Sequence, residues 1–513
     1  MKSSSLILSV CLFLASFFPL FAQEAGGGTG EGGESPETIF VIRKIDFNVT
    51  GRSRPYALRY HGKLEEGEEL AGQGALDFYI KDRTQLLVNQ RVLKDDVSIV
   101  YTLGEPEPDG KIPVYLLVSV SDTWNIMAFP KPLWDSNDGF DLTLKARDYN
   151  FFGTMSPLRV DLGYQLNTRR ESNFNFLIDT DIPFSALGFN WSVNFDNQFD
   201  YSWRESLGYI NTSGISMELP WRRSTFTFDL THQINWYDKN SFWEQGQGYG
   251  KFFEGLFNTI SSGAKWELPT GVDVFGFGEL IYTPRIRQSI NYNPGSWDME
   301  EWRGIRQSHT TSLDQTLGFG RVDWIGNFRK GMDVYFENSN SYNYTRRAWN
   351  NSYTINATTH FLPVDYFGIT SRLQFRHWFY NFPRHLYYEA GDVLRGVLND
   401  HVAADFMLAL NLEFPYRIAL RPSEWFKTSK MRIFNFELFL SPFLDIAIAH
   451  LPNPYDGQDT LTAYYAGGME IFLFPDVMRS FYLRISAGID LDVFFRDYSI
   501  PSPEFFFGLG HFF

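Results

Sequence analysis

Ser224-Thr225-Phe226-Thr227-Phe228-Asp229-Leu230-Thr231-His232-Gln233-Ile234-Asn235-Trp236 is the stretch on which the fold turns. Successive side chains of an extended chain point to opposite faces. Phe226, Phe228, Leu230, His232, Ile234 and Trp236 therefore share one face, and Thr225, Thr227, Asp229, Thr231, Gln233 and Asn235 share the other. One side is oily and the other wet. The division recurs at Leu158, Val160, Leu162 and Tyr164 against Arg159, Asp161, Gly163 and Gln165. It returns at Phe481, Leu483, Ile485, Ala487, Ile489 and Leu491 against Tyr482, Arg484, Ser486, Gly488 and Asp490. Soluble strands average only about five or six residues, whereas a tilted strand needs ~9–11 to cross a bilayer, and these runs are of the longer kind. Many carry Phe, Tyr or Trp near their ends, as membrane-interface girdles do.

The composition agrees. The chain has 513 residues, 45 basic against 60 acidic side chains, 50 Phe and 18% aromatic residues. So much apolar surface argues against disorder. A net charge of −15 leaves nothing to attract a nucleic-acid backbone. Beyond the first 22 residues no uncharged apolar run of about 18 residues exists to make a membrane helix. The pattern predicts a mainly β chain, a transmembrane antiparallel β-barrel over 127–513. Backbone groups in lipid have no water to bond, so such a sheet must close on itself. At roughly 24 residues per strand and connection, sixteen strands are expected, eleven before His385 and five after Asp400, in keeping with the even counts of bacterial barrels.

Upstream, Lys2 and the apolar stretch Leu6–Phe21, with Ala22 as a small cleavage residue, predict a signal peptide over 1–22. Cys11 is the single cysteine, so the mature chain is expected to carry no thiol. Residues 23–37, rich in Gly, Glu and Ser, read as a flexible linker. Residues 38–126 predict a small α+β domain. Val41, Ile45, Phe47 and Val49 mark a strand. Leu76, Tyr79, Ile80, Leu86 and Leu87 mark a helix over 75–93, and a further helix is expected between Pro55 and Leu70. Two more strands run through Val97–Leu103 and Val114–Val120.

Three motifs resemble those of the BamA and TamA superfamily of outer-membrane assembly and translocation proteins. Gly391-Asp392-Val393-Leu394-Arg395-Gly396-Val397 is similar to the Val/Leu-Arg-Gly-Phe/Tyr motif of that family's long sixth loop, with Val397 in place of the aromatic. Phe443-Leu444-Asp445-Ile446-Ala447 resembles its Phe-x-Asp-x-Gly wall motif, with Ala447 for Gly. Arg147-Asp148-Tyr149-Asn150-Phe151-Phe152-Gly153 resembles its first-strand ending, Asp-x-Asn-x-Phe-Gly. The small domain looks like one POTRA domain in its β-α-α-β-β order.

The resemblance implies that the loop folds back into the lumen, Arg395 and Gly396 meeting Asp445 and Phe443. Parity supports it: Phe436, Leu438, Leu440, Leu444, Ile446 and Ile448 share the lipid side, so Asp445 points inward beside small Ala447 and Ala449. The resemblance further implies a lateral seam between a first strand carrying Phe140, Leu142 and Leu144 and a last strand carrying Phe507, Leu509 and Phe513. It implies an outer-membrane protein with its N-terminal domain in the periplasm. Its partners would be outer-membrane lipids and unfolded β-barrel clients, which an open strand edge would pair by β-augmentation, together with accessory periplasmic or lipoprotein subunits. A pore exporting one dedicated secreted partner stands as the alternative, and a passive porin as a third reading. The sequence holds no zinc-protease, nucleophile-elbow or phosphate-loop motif, so no enzyme, cofactor or metal is expected.

Overall fold

The computed structural model describes residues 38–135, 139–166, 172–202, 206–237, 255–274, 276–292, 309–345, 347–380, 388–389, 393–397, 403–418, 435–451, 460–476, 478–498 and 503–509. The expected signal and linker segments, and Phe513, lie outside them. The N-terminal unit contains β1 (Ile39–Thr50), α1 (Pro55–Gly62), β2 (Glu69–Ala71), α2 (Gly72–Val88), β3 (Ser98–Leu103) and β4 (Ile112–Ser121), in sheet order β2-β1-β4-β3. β1 and β4 are parallel neighbours, and both helices lie in the connection between them. The helices close over one face, burying Ile42, Leu58, Leu76, Leu87, Val114 and Leu116 together. Two details differ from the sequence reading. β2 separates the helices, and α2 runs from Gly72 to Val88 rather than reaching Leu93. Arg91, just past its end, takes a left-handed φ of 51° that no helix continues through.

The remainder is built on one closed sheet, with a short helix (Leu491–Asp497) between its last two strands. Its wall is built by β5 (Ile126–Asp135), β6 (Gly139–Asp148), β7 (Leu158–Leu166), β8 (Ser172–Ala186), β9 (Phe189–Ser202), β10 (Ser206–Trp221), β11 (Ser224–Tyr237), β12 (Gly255–Asp273), β13 (Glu279–Tyr292), β14 (His309–Ile325), β15 (Phe328–Asn343), β16 (Ala348–Val364) and β17 (Phe367–Tyr380). A long loop carrying β18 (Tyr388–Glu389) and β19 (Ala403–Ala404) follows. The wall then resumes with β20 (Phe406–Glu413), β21 (Tyr416–Ile418), β22 (Phe436–Leu451), β23 (Thr460–Pro475), β24 (Leu483–Asp490) and β25 (Glu504–Leu509). β20 and β21 lie end to end between β17 and β22, interrupted at Phe414-Pro415. The wall thus has about eighteen strand positions rather than the sixteen expected, five of them after the loop. Hairpin turns of two residues, such as Leu187-Gly188 and Gly326-Asn327, leave room for more strands than an even division of the chain allows.

The oily parity faces out. Phe228 and Leu230 are 44% and 48% exposed on β11. On β22, Phe439, Ser441, Phe443, Asp445, Ala447 and Ala449 are buried in the interior while Leu438, Leu440, Leu444, Ile446 and Ile448 alternate on the other face.

The N-terminal unit lies across one mouth of the barrel, fastened at points spread around the rim. At the β6–β7 turn, buried Asn150 donates to Ser53 Oγ (2.8 Å) and Asp122 (3.1 Å), and Arg54 N–H donates to Gly153 O (2.9 Å). Gly153 has φ +75°, and a Cβ there would sit 2.1 Å from Arg52 O, so the family-like Asn-Phe-Phe-Gly stretch works here as the docking turn. At the β14–β15 turn, Arg91 donates to Gly326 O (3.0 Å) and Asn327 Oδ1 (2.8 Å) and lies 4.0 Å over the Trp324 ring. At the β23–β24 turn it donates to Arg479 O (2.5 Å), and Arg479 donates back to Leu93 O (3.2 Å). Tyr60 reaches Glu218 on β10. Burial pushes the Arg91 guanidinium down to about 10, which leaves it charged at neutral pH.

Candidate functional site: the lumen latch and the closing strands

Inside the barrel the long loop returns to the wall. Small side chains make the seat: Val393, Leu394 and Val397 pack against Met407, Ala409, Ala447, Ala449 and Ala466. Asn411 of β20 donates to Val393 O (2.8 Å). The turn at 395–396 needs glycine. Gly396 has φ +95°, and a Cβ would fall 2.5 Å from the Ile489 backbone nitrogen of β24. Gly488 opposite is held to the same standard, since its own Cβ would meet the Phe443 ring at 2.9 Å.

Arg395 is 4% exposed and its planar fork is fully engaged. Nε donates to Asp445 Oδ2 (2.9 Å) and Nη2 to Oδ1 (2.6 Å), a bidentate pair to which the Arg395 backbone N–H adds a third bond (2.9 Å). Nη1 donates to Glu413 (2.5 Å) and lies 3.1 Å from Glu470. The guanidinium stacks 4.0 Å over Phe443. Arg484 of β24 joins by donating to Glu470 (2.7 Å), and Arg329 of β15 lies in electrostatic reach of Glu413 and Glu470. Three guanidinium groups thus face three carboxylates. Buried charges are tolerable only when paired in this way.

The latch extends to the closure of the barrel. Gly396 N–H donates to Glu504 Oε2 (2.5 Å) at the start of β25. Arg484 lies 4.5 Å over the Phe506 ring, and Lys131 of β5 approaches the same ring at 5.2 Å. Phe506, on the inner parity of β25, is therefore held between a cation of the strand before it and a cation of the first strand.

Of the residues expected from sequence, Arg395, Gly396, Phe443 and Asp445 meet at one place. The seam residues divide. Phe507 and Leu509 lie on β25, but closure runs between β25 and β5, so Phe140, Leu142 and Leu144 stand one strand in, on β6, facing outward. Pro130 and Pro132 disguised β5, because proline breaks the usual strand pattern. Glu413, Glu470, Arg484, Glu504, Lys131 and Phe506 were not anticipated. Their signal was present as a charge or ring on the wet parity of otherwise apolar or small-residue strands.

The chain is similar in structure to CdiB and BamA. CdiB from Acinetobacter baumannii superposes with a TM-score of 0.48 at 14% identity, over 92% of this chain and 73% of that one. BamA from Haemophilus ducreyi lacking POTRA domains 1–3 gives 0.41 at 12%, over 92% and 85%. CdiB from Escherichia coli gives 0.39 at 9%, over 94% and 92%. No protein-family model matches the sequence, and no curated protein does.

Proposed function

We propose that the chain is an outer-membrane β-barrel that inserts other barrel proteins into the membrane through a lateral seam between β5 and β25, its N-terminal domain serving as a POTRA-like unit in the periplasm. One observation carries this reading: the loop segment 393–397 is held against the inner wall by Arg395 among three buried carboxylates while its neighbour Gly396 holds the closing strand through Glu504. Withdrawing the loop would strand buried charges, at about 3–5 kcal/mol for a broken buried pair. Parting β25 from β5 leaves those ion pairs intact and exposes backbone donors and acceptors that an incoming strand satisfies. The moving part is then the seam rather than the plug, and the product leaves sideways into lipid.

Export of a secreted partner is the second reading, favoured by the wet inner wall of β14–β17, where Asp314, Thr354, Arg372 and Arg376 share the lumen parity and would line a path if the loop withdrew. Depleting the protein and quantifying all other outer-membrane barrels separates the two. General loss of barrels is the result expected; loss of one secreted protein with the other barrels intact would replace insertion by export, and reduced solute uptake alone would make the protein a porin.

A further inference from the structure

The outer face of the barrel is not uniform. On β22 the outward parity between Leu438 and Ile448 holds only Leu, Ile and one Pro. On β13–β16, within the same oily parity as exposed Ile286, Leu313, Leu317 and Phe336, stand Tyr282, Gln315, Asn338, Asn340 and Asn351. Gln315 pairs across the ladder with Asn338, and Leu313, Asn340 and Asn351 form the next row. These side chains bond to one another: Tyr282 Oη–H donates to Gln315 Oε1 (2.9 Å), Asn340 Nδ2 to Asn338 Oδ1 (2.5 Å) and Asn351 Nδ2 to Asn340 Oδ1. Asn338 Nδ2 donates to Ser352 O (3.2 Å).

The ladder lies at membrane depth. Arg321 on β14 is ion-paired with Asp82 of α2, which places it on the watery side of the rim. Gln315 is six residues further along, ~20 Å of strand or ~15 Å of height at a tilt of ~40°, inside the ~25 Å apolar band of such barrels. There the ladder is incomplete. A side-chain amide offers two donor hydrogens and an acceptor oxygen, more than the bonds above use at Gln315 and Asn351, and lipid tails cannot supply the rest.

We propose that a second copy of this chain docks on this face. A side-chain amide is donor and acceptor at once, so one patch of amides can satisfy itself across a two-fold axis, as an isologous interface requires. The patch carries no charge, so the net −15 of each chain is not brought face to face. β14 is also nine strands from β5 in a wall of about eighteen, so pairing here turns both closures outward and leaves them free. The proposal rests on the barrel being embedded in a membrane.

The test uses the full chain reconstituted in phospholipid vesicles and labelled for single-molecule photobleaching. Wild type should bleach in two steps. A variant with Gln315→Leu, Asn338→Leu, Asn340→Leu and Asn351→Leu should float with the vesicles, keep the heat-sensitive mobility of a folded barrel, and bleach in one. In a Cys11→Ser background, Asn338→Cys should cross-link to itself on oxidation while Leu444→Cys on β22, several strands away, should not, which decides the matter even if the fourfold variant fails to fold. One-step bleaching of wild type, two-step bleaching of the folded variant, equal cross-linking at 338 and 444, or a monomer holding a lipid lost from the variant would overturn the dimer. Wild type that does not float would overturn the membrane reading itself, and the dimer with it.

Discussion

Arg395 illustrates what a single residue can decide in a lumen. Its fork is matched atom for atom by Asp445 and extended by Glu413 and Glu470, so removing it leaves three buried carboxylates facing only Arg484 and Arg329. Arg395→Ala should lower the stability of the folded barrel by about 3–5 kcal/mol, seen as an earlier heat-induced shift in gel mobility. Arg395→Lys should restore little, because a point cation cannot make the bidentate bond, whereas adding Glu413→Gln to Arg395→Ala should recover part of the loss. Wild-type heat resistance in Arg395→Ala would remove the latch from the account. The Arg-Gly pair and Asp445 were legible because they sit in motifs. Glu413 and Glu470 were not, because nothing local tells a charge on a wet strand face from a hydrated one.

At the scale of the strand, β5 and β25 stand apart from the rest of the wall. N–H groups two residues apart in an antiparallel strand point to the same neighbour, so the donors missing at Pro130 and Pro132 are both missing from one ladder. Proline is tolerated at sheet edges for that reason, which suits a strand that closes a seam. Phe506 reinforces the closure from inside through Lys131 and Arg484, contacts worth ~0.5–2 kcal/mol each. Phe506→Ala should therefore speed hydrogen exchange in Glu504–Leu509 and Ile126–Asp135 while β22 and β23 keep their protection. Phe506→Leu, which restores bulk without the ring, should behave like alanine. Uniformly faster exchange across the barrel would mean that Phe506 serves general packing instead. Alternation made the long strands readable, and β5 escaped because its prolines mimic a turn.

Over the whole molecule, the N-terminal unit spans the mouth because its contacts reach the β6–β7, β14–β15 and β23–β24 turns at once. Arg91 contributes to two of these, donating to three acceptors and stacking on Trp324. Hydrogen bonds from a charged group contribute about 1.5–3 kcal/mol, so Arg91→Ala should loosen the unit from the rim without unfolding it. Distances measured between spin labels on α1 and on β10 should broaden, while the heat resistance of the barrel stays unchanged. A narrow, unaltered distribution would show that the Asn150 turn alone holds the domain.

Sequence by itself determined that the chain is a barrel, which face of each strand is oily, and where the loop and its acid lie. The first two are periodic, written into the order of neighbouring side chains by the two-residue repeat of an extended backbone, whereas the loop and its acid were marked by short motifs that resemble those of a known family. Only the tertiary structure decided the number of strands, the place of closure, the partners that complete the Arg395 cluster and the seating of the small domain. Each of those depends on residues brought together from distant parts of the chain by the curvature and stagger of a closed sheet, and no spacing along the sequence encodes which strands will meet.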